Sequence, residues 1–339
     1  MSISALFKSG WVQAAGGSIA WLAILAISAV FLSPFLLFIA AGILVSILYA
    51  ESVSFSIGFG GVATFGNQTF FGAAGYLVAW LSLSHGVHSL LLLIVVGMAA
   101  GIVTSLATVV LVRGETGFVY GMLTLAIGQT VYSFVSGTSV FWGTGGLAGV
   151  PRGDFFGLNL NTAITYYWFL GGVVLVVMLG LFGIRRSSFG QILSATRQNA
   201  VRAQALGVPV NRYKAVTVLI SGAVAGIAGT LYAITYNSVD PSMYYWVAGA
   251  VPILAGLLGG VRTLIGPVVG ATIFGGVTYA FSLDPNLGEL YISLIILGLF
   301  LLMPEGIVPG VIGFGRWSIG TFSNGELRRA RPWRARQGQ

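Results

Sequence analysis

The chain has 339 residues, 56% of them hydrophobic and 7% charged, with a net charge of +8, 50 glycines and no cysteine. A soluble globular domain carries about 25% charged residues, so this composition excludes a water-soluble enzyme and makes lipid the solvent of the fold. The absence of cysteine removes disulfide, zinc-thiolate and thiol chemistry.

Apolar runs of a length to form membrane helices, about 20 residues each, fall at 16–33, 35–52, 58–83, 88–112, 117–135, 165–183, 213–235, 244–260, 264–281 and 288–303. The first follows one lysine, Lys8, and is closed by no small-residue cleavage site, so it reads as a retained helix. The second ends on Glu51, near the face that also carries Lys8. The third is broken by Gly60, Gly61, Gly66, Asn67, Gln68, Gly72 and Gly75. Backbone freed from a helix at membrane depth survives only where protein or a water-filled cavity receives it. Thr64, Asn67, Gln68 and Thr69 therefore form a candidate lining for a path, with Thr124 and Gln129 of the fifth run beside them. Helix-to-helix hydrogen bonding is the alternative role for each. The eighth run is short for a span.

Glycines recur at the spacing that lets helix backbones approach, in Gly97 with Gly101, Gly222 with Gly226, and Gly266 with Gly270. A short echo between 69–75 and 263–270 hints at two related halves, as transporters often have. Between the fifth and sixth runs lies GTGGLAGVPRGDFFG. It follows no strand and has no lysine to cradle a phosphate, so Gly145 and Gly146 read as part of a re-entrant gate on the outer face, or of a plain connector. His85 and His88 read as span-end residues rather than metal ligands.

Segment 184–214 is polar and arginine-rich. Ile192, Leu193, Ala195, Ala200, Val201, Ala203, Ala205 and Leu206 gather on one face of a predicted helix over 191–206, Gly207 stops it and Pro209 prevents its resumption. Such a helix either rests on headgroups or is gripped by a soluble partner. With the N-terminus inside and ten spans, 15 of the 16 lysines and arginines fall on the inner side, and Arg152 alone lies outside. That is a strong positive-inside signal, and it accounts for the net charge through lipid headgroups. Nucleic acid is excluded, because the basic residues are not interleaved with stacking aromatics. The reading is an all-α polytopic membrane protein of about ten transmembrane helices with both termini cytoplasmic: a short N-terminus (1–15), a transmembrane domain (16–304) and a basic tail (305–339).

ATRQNAVRAQALGVPVNRYK resembles the cytoplasmic loop of permease subunits of branched-chain amino acid ABC importers. FGGVATFGNQTFFGAAGYLVAWL (59–81) is similar to that family's glycine-rich early span, GTGGLAGVP (143–151) to its Thr-Gly-Gly loop, and LGGVRTLIGPVVGA (258–271) and MPEGI (303–307) to its late signatures. These motifs stand in the family's order, and the resemblance covers about 35–307. The resemblance implies a permease of the bacterial inner membrane, paired with a second permease, with two cytoplasmic ATPases and a periplasmic binding protein. It implies no cofactor on this chain, because ATP would be bound by the partner subunits, and a branched-chain or related small amino acid as substrate. The ATPase contact would then fall on Arg197, Gln198, Asn199, Arg202, Gln204, Leu206 and Gly207. Where the family tends to carry glutamates, this chain has Gln198, Ala200 and Gln204, which moves the contact from ion pairs toward shape and toward Arg197 and Arg202. Importers of urea, short amides, sugars or nucleosides are the alternatives within the class. An ion-coupled secondary transporter would need an intramembrane acid, for which only Glu51 is available, and a membrane enzyme would need paired acids that the sequence lacks.

The charge split predicts opposite sides of the membrane for the 184–214 loop and the 152–159 segment. Cysteines introduced as Ser187→Cys and Asn159→Cys should label oppositely with an impermeant thiol reagent in intact cells. Equal labelling would overturn the ten-span arrangement.

Overall fold

The computed structural model describes residues 21–26, 28–29, 31–115, 117–155, 158–281, 288–302 and 306–310. The predicted N-terminus, Lys8 and the arginines of the tail lie outside the described residues.

Helix α1 is formed by the helical residues within 21–31. Helix α2 (Pro34–Ser54) starts where proline is tolerated, at N1, behind Ser33, whose hydroxyl accepts from the Leu36 amide at 3.4 Å. It runs without interruption into a π turn, Phe55–Phe59. After an irregular stretch, 60–66, come α3 (Asn67–His85), α4 (Leu90–Leu111), α5 (Gly117–Gly137) and α6 (Ala163–Arg186). The polar segment forms α7 (Ser188–Gln198) and α8 (Ala200–Ala205), followed by α9 (Val210–Tyr236), α10 (Trp246–Gly259), α11 (Gly266–Phe281) and α12 (Gly288–Leu302). The strands are only two residues long: β1 (Leu147–Ala148) pairs with β4 (Ser238–Val239), and β2 (Asp154–Phe155) with β3 (Leu158–Asn159).

Among the described residues, five elements are long and apolar enough to cross a membrane: Pro34–Phe59, α4, α5, α6 and α9. Helices α10 and α11 are apolar but shorter. These lengths and compositions fit a multi-span helical membrane protein, and the structure departs from the predicted runs in two places. Glu51 does not end its span, because the π turn carries the helix two further turns beyond it. The predicted single helix over 191–206 is two helices, because Asn199 adopts an extended conformation (φ −158°, ψ 98°) and uses its side chain to cap the second, accepting from the Arg202 amide at 2.9 Å.

Helix α9 is the hub, buried along most of its length against α2, α3 and α4. The two glycine pairs read from the sequence meet each other there. A side chain on Gly226 would collide with the Gly97 carbonyl, and one on Gly101 with the Gly222 carbonyl, so α4 and α9 cross backbone to backbone. Gly266 and Gly270 make the same approach to α10, against the carbonyls of Gly260 and Ala255.

The bundle has two distinct ends. At one, the Asp154 amide donates to the His88 carbonyl (2.7 Å) and β1 lies on β4. At the other, α7 packs on the π turn and the start of α9, pinned by Phe189 stacked on Tyr213 (5.3 Å). Arg152 and the 184–214 loop therefore sit at opposite ends, as the charge pattern requires.

The crossing predicts a contrast. Gly226→Leu should destabilise the purified protein by about 1–3 kcal/mol or prevent its folding. Gly172→Leu, where a side chain meets nothing within 4 Å, should stay within about 0.5 kcal/mol of wild type. Thermal unfolding in detergent measures both, and equal effects would contradict the close approach.

Candidate functional site

Of the irregular stretch 60–66, Gly60, Val62, Thr64 and Gly66 are buried, and Gly61 is exposed. Side chains on Gly58, Gly60 and Gly66 would collide with the Val261 carbonyl, with Thr217 and with the Thr124 carbonyl, so loop 260–265, α9 and α5 each press on it. Three of its amides have partners in the fold. The Gly60 and Val62 amides bond back to the π turn at Phe55 and Ser56 (both 2.9 Å), and the Phe65 amide donates to the Thr124 hydroxyl (3.1 Å). The π turn itself is held by α9, where the Ser221 hydroxyl donates to the Ser52 carbonyl at 2.7 Å.

Around this break the predicted path residues converge, and the structure divides them into two kinds. Asn67 and Thr64 satisfy each other: the Asn67 amide donates to the Thr64 hydroxyl (3.0 Å), which also meets Ser56 (3.1 Å). Gln68 and Thr69 are different. Both are buried, yet both amide atoms of Gln68 and the Thr69 hydroxyl lack a partner. Gln68 is clamped between Gly128 of α5 and Gly249 of α10, whose missing side chains leave it room. Gln129, one residue along, is half-buried with its amide nitrogen unpartnered. Buried polar atoms are normally bonded, and an unpartnered primary amide offers two donors and an acceptor to anything entering. Two residues missed in the sequence belong to the same region. Ser54, packed on Gly256, has a free hydroxyl, and Ser56 joins Thr64. Both fall just past the predicted end of the second run, where no local signal marks a path.

Glu51 is fully buried on α2 with neither oxygen partnered, and Arg185 at the end of α6 has two unpartnered nitrogens while its guanidinium lies over Phe59 at 5.1 Å. Gly145 and Gly146 are far from the break in the fold. They form part of the loop tied to the opposite end, where Gly146 (φ +64°) lies against the Val239 carbonyl and the Gly149 amide donates to the Asn237 carbonyl at 2.8 Å. The loop is thus held by backbone bonds and is not a free connector. His85 packs on Trp80 (4.5 Å) at the same end.

On the polar segment, Leu193, Thr196 and Ala203 turn inward, whereas Val201 and Leu206 are 76% and 80% exposed. Arg202, Gln198, Asn199 and Gln204 are exposed, and Gly207 (φ +83°) turns the chain toward α9. Arg197 lies across the break, its Cγ 2.9 Å from where a Gly61 side chain would begin. Burial first, and then the charge of Arg262, pull the Arg197 guanidinium below the usual arginine range, although it stays charged.

A sequence model described as "Branched-chain amino acid transport system / permease component" matches residues 35–304. The chain is similar to the high-affinity branched-chain amino acid transport system permease protein LivM of Salmonella typhimurium, 25% identical over 80% of this chain and 69% of that protein. To LivM of Escherichia coli it is 24% identical, over 78% and 68%. To LivH of Escherichia coli it is 28% identical, over 47% of this chain and 51% of that protein.

The two kinds of buried amide predict opposite responses. Asn67→Leu should lose about 1–2 kcal/mol, because it removes a buried bond to the Thr64 hydroxyl and leaves only Ser56 as its partner. Gln68→Met removes polar atoms that have no partner and should leave the unfolding temperature unchanged or raised; a large loss for Gln68→Met would mean that its amide is bonded in the protein.

Proposed function

The chain belongs to the branched-chain amino acid transport permease family, and from that premise we propose that it forms one half of a pore whose other half is a second, related permease. Branched-chain or similar small amino acids would pass along the break at 60–66. Importers of sugars or urea, ion-coupled carriers and membrane enzymes are readings that the relatives do not favour.

The single observation that carries the mechanism is the contact of Arg197 with Gly61. It joins the segment offered to a soluble partner directly to the stretch that bears the polar path residues. The exposed apolar pair Val201 and Leu206 and the exposed Arg202 beside them suit the groove of a cytoplasmic ATPase, of which two would dock, one on each permease. ATP-driven closure of those ATPases displaces α7 and α8. Because α7 rests on the π turn and Arg197 rests on Gly61, that displacement reaches Gln68 through only a few residues of unwound chain, and access alternates as rigid helices shift around it. Gln68 and Thr69 offer donors and acceptors that a zwitterionic amino acid uses in passing. A periplasmic binding protein would deliver substrate to the end that carries Gly145 and Gly146. The shorter helices complete the ten-span, N-in and C-in topology in the inner membrane.

The test is uptake of radiolabelled leucine by cells or proteoliposomes containing the whole importer. Gly207→Val has open space around the new side chain, so it acts through its positive φ, at about 1 kcal/mol of strain. It should lower uptake severalfold, with the protein still inserted. Arg197→Glu and Leu206→Asp should abolish uptake, and Gln68→Met should lower it without loss of assembly. Normal uptake by Arg197→Glu and Leu206→Asp together would remove the coupling role of the segment.

A further inference from the structure

We propose that this chain carries a specific site for an anionic phospholipid, with its headgroup in a cavity at the end that bears α7 and α8 and an acyl chain in a groove between α4 and α5. Such a site does not depend on the transport reading. The cavity, about 680 Å³, opens where the α4–α5 turn faces the start of α9. Its ionisable lining is Arg113, Arg212 and Lys214 against the single acid Glu115, so the space is net positive and accepts a phosphodiester. Tyr120 lines it too; that side chain is buried and its hydroxyl has no partner, which leaves one directed donor for a phosphate or glycerol oxygen.

Beyond the cations the surface turns apolar. The cavity shares Val112 with a groove of about 500 Å³ lined by Leu111, Leu123, Ile127 and Val131. Helices α4 and α5 are both long and apolar enough to cross the membrane. The groove therefore lies in hydrocarbon, and the basic cavity lies at headgroup depth at the helix ends. Leu111 and Leu123 are exposed along it. A small soluble anion fills the cavity but not the groove, and a neutral lipid fills the groove but leaves the cations unanswered; an anionic phospholipid satisfies both. Gly61 and Gly207 also line the cavity, so a bound headgroup touches both the helix break and the polar loop.

The purified full-length protein in phosphatidylcholine vesicles, doped with a phosphatidylglycerol carrying a diazirine on its acyl chain, provides the test. Photolabelling should concentrate on the α4 and α5 peptides, and excess unlabelled phosphatidylglycerol should compete for it while phosphatidylcholine and inorganic phosphate do not. The double variant Arg113→Gln/Arg212→Gln should lower labelling about fivefold or more, as expected when two headgroup cations are removed. Ile127→Trp, which fills the groove and leaves the charges alone, should do the same. Equal competition by phosphatidylcholine, labelling spread over all membrane-facing helices, or displacement by inorganic phosphate would each overturn the proposal. So would loss of labelling on assembly with the second permease, which would make the groove a protein interface. The competition arm uses the wild-type chain, so the decision stands even if a variant fails to fold.

Discussion

In hydrocarbon a backbone amide that leaves its helix finds no water, so it must find protein. The break at 60–66 sits near the end of the bundle that bears α7, with all but Gly61 at least half-buried in protein, and its neighbours in the bundle can be read as its answer. The π turn returns two carbonyls to the Gly60 and Val62 amides, Thr124 accepts from Phe65, and Ser221 reaches from α9 to hold the turn. Glycines at 58, 60 and 66 let the 260–265 loop, α9 and α5 close over it. Small residues serve here less as flexible points than as spaces that bring neighbouring backbones near enough to matter.

The same glycine logic builds the frame around the break. Without a hydrophobic drive between helices in lipid, close packing is what associates them. The crossing of α4 on α9 through Gly97, Gly101, Gly222 and Gly226 fixes the hub helix, and Gly259, Gly266 and Gly270 fix α11 on α10. Into that rigid surround the chain places a few polar atoms that its own fold does not satisfy: the amide of Gln68 and the hydroxyls of Ser54 and Thr69. Such atoms weaken a purely structural account of the site and suit a pathway whose occupants supply the missing bonds.

The polar segment obeys a different rule. Splitting it at Asn199 lets α7 bury Leu193 and Thr196 while α8 takes its own direction, with Val201 turned outward and Ala203 inward. The inner half grips the bundle through Phe189, Tyr213 and the Arg197 contact on Gly61, and the outer half leaves Val201 and Leu206 exposed.

The sequence by itself determined the solvent, the helical class, the boundaries of most runs to within a few residues, the family and the break in the third run. Each depends on composition or local pattern: hydropathy, glycine spacing and charge asymmetry. It also named the polar residues near the break, but it could not sort Asn67 from Gln68, since adjacent amides in one glycine-rich stretch look alike until the neighbours are known. The tertiary structure decided that Asn67 serves Thr64 while Gln68 is clamped and unpartnered. It also carried α2 past Glu51 through a π turn, broke the loop helix at Asn199, and paired one Gly-xxx-Gly motif with the other. These are contacts between residues far apart in the chain, and no local pattern encodes which distant carbonyl a glycine will meet.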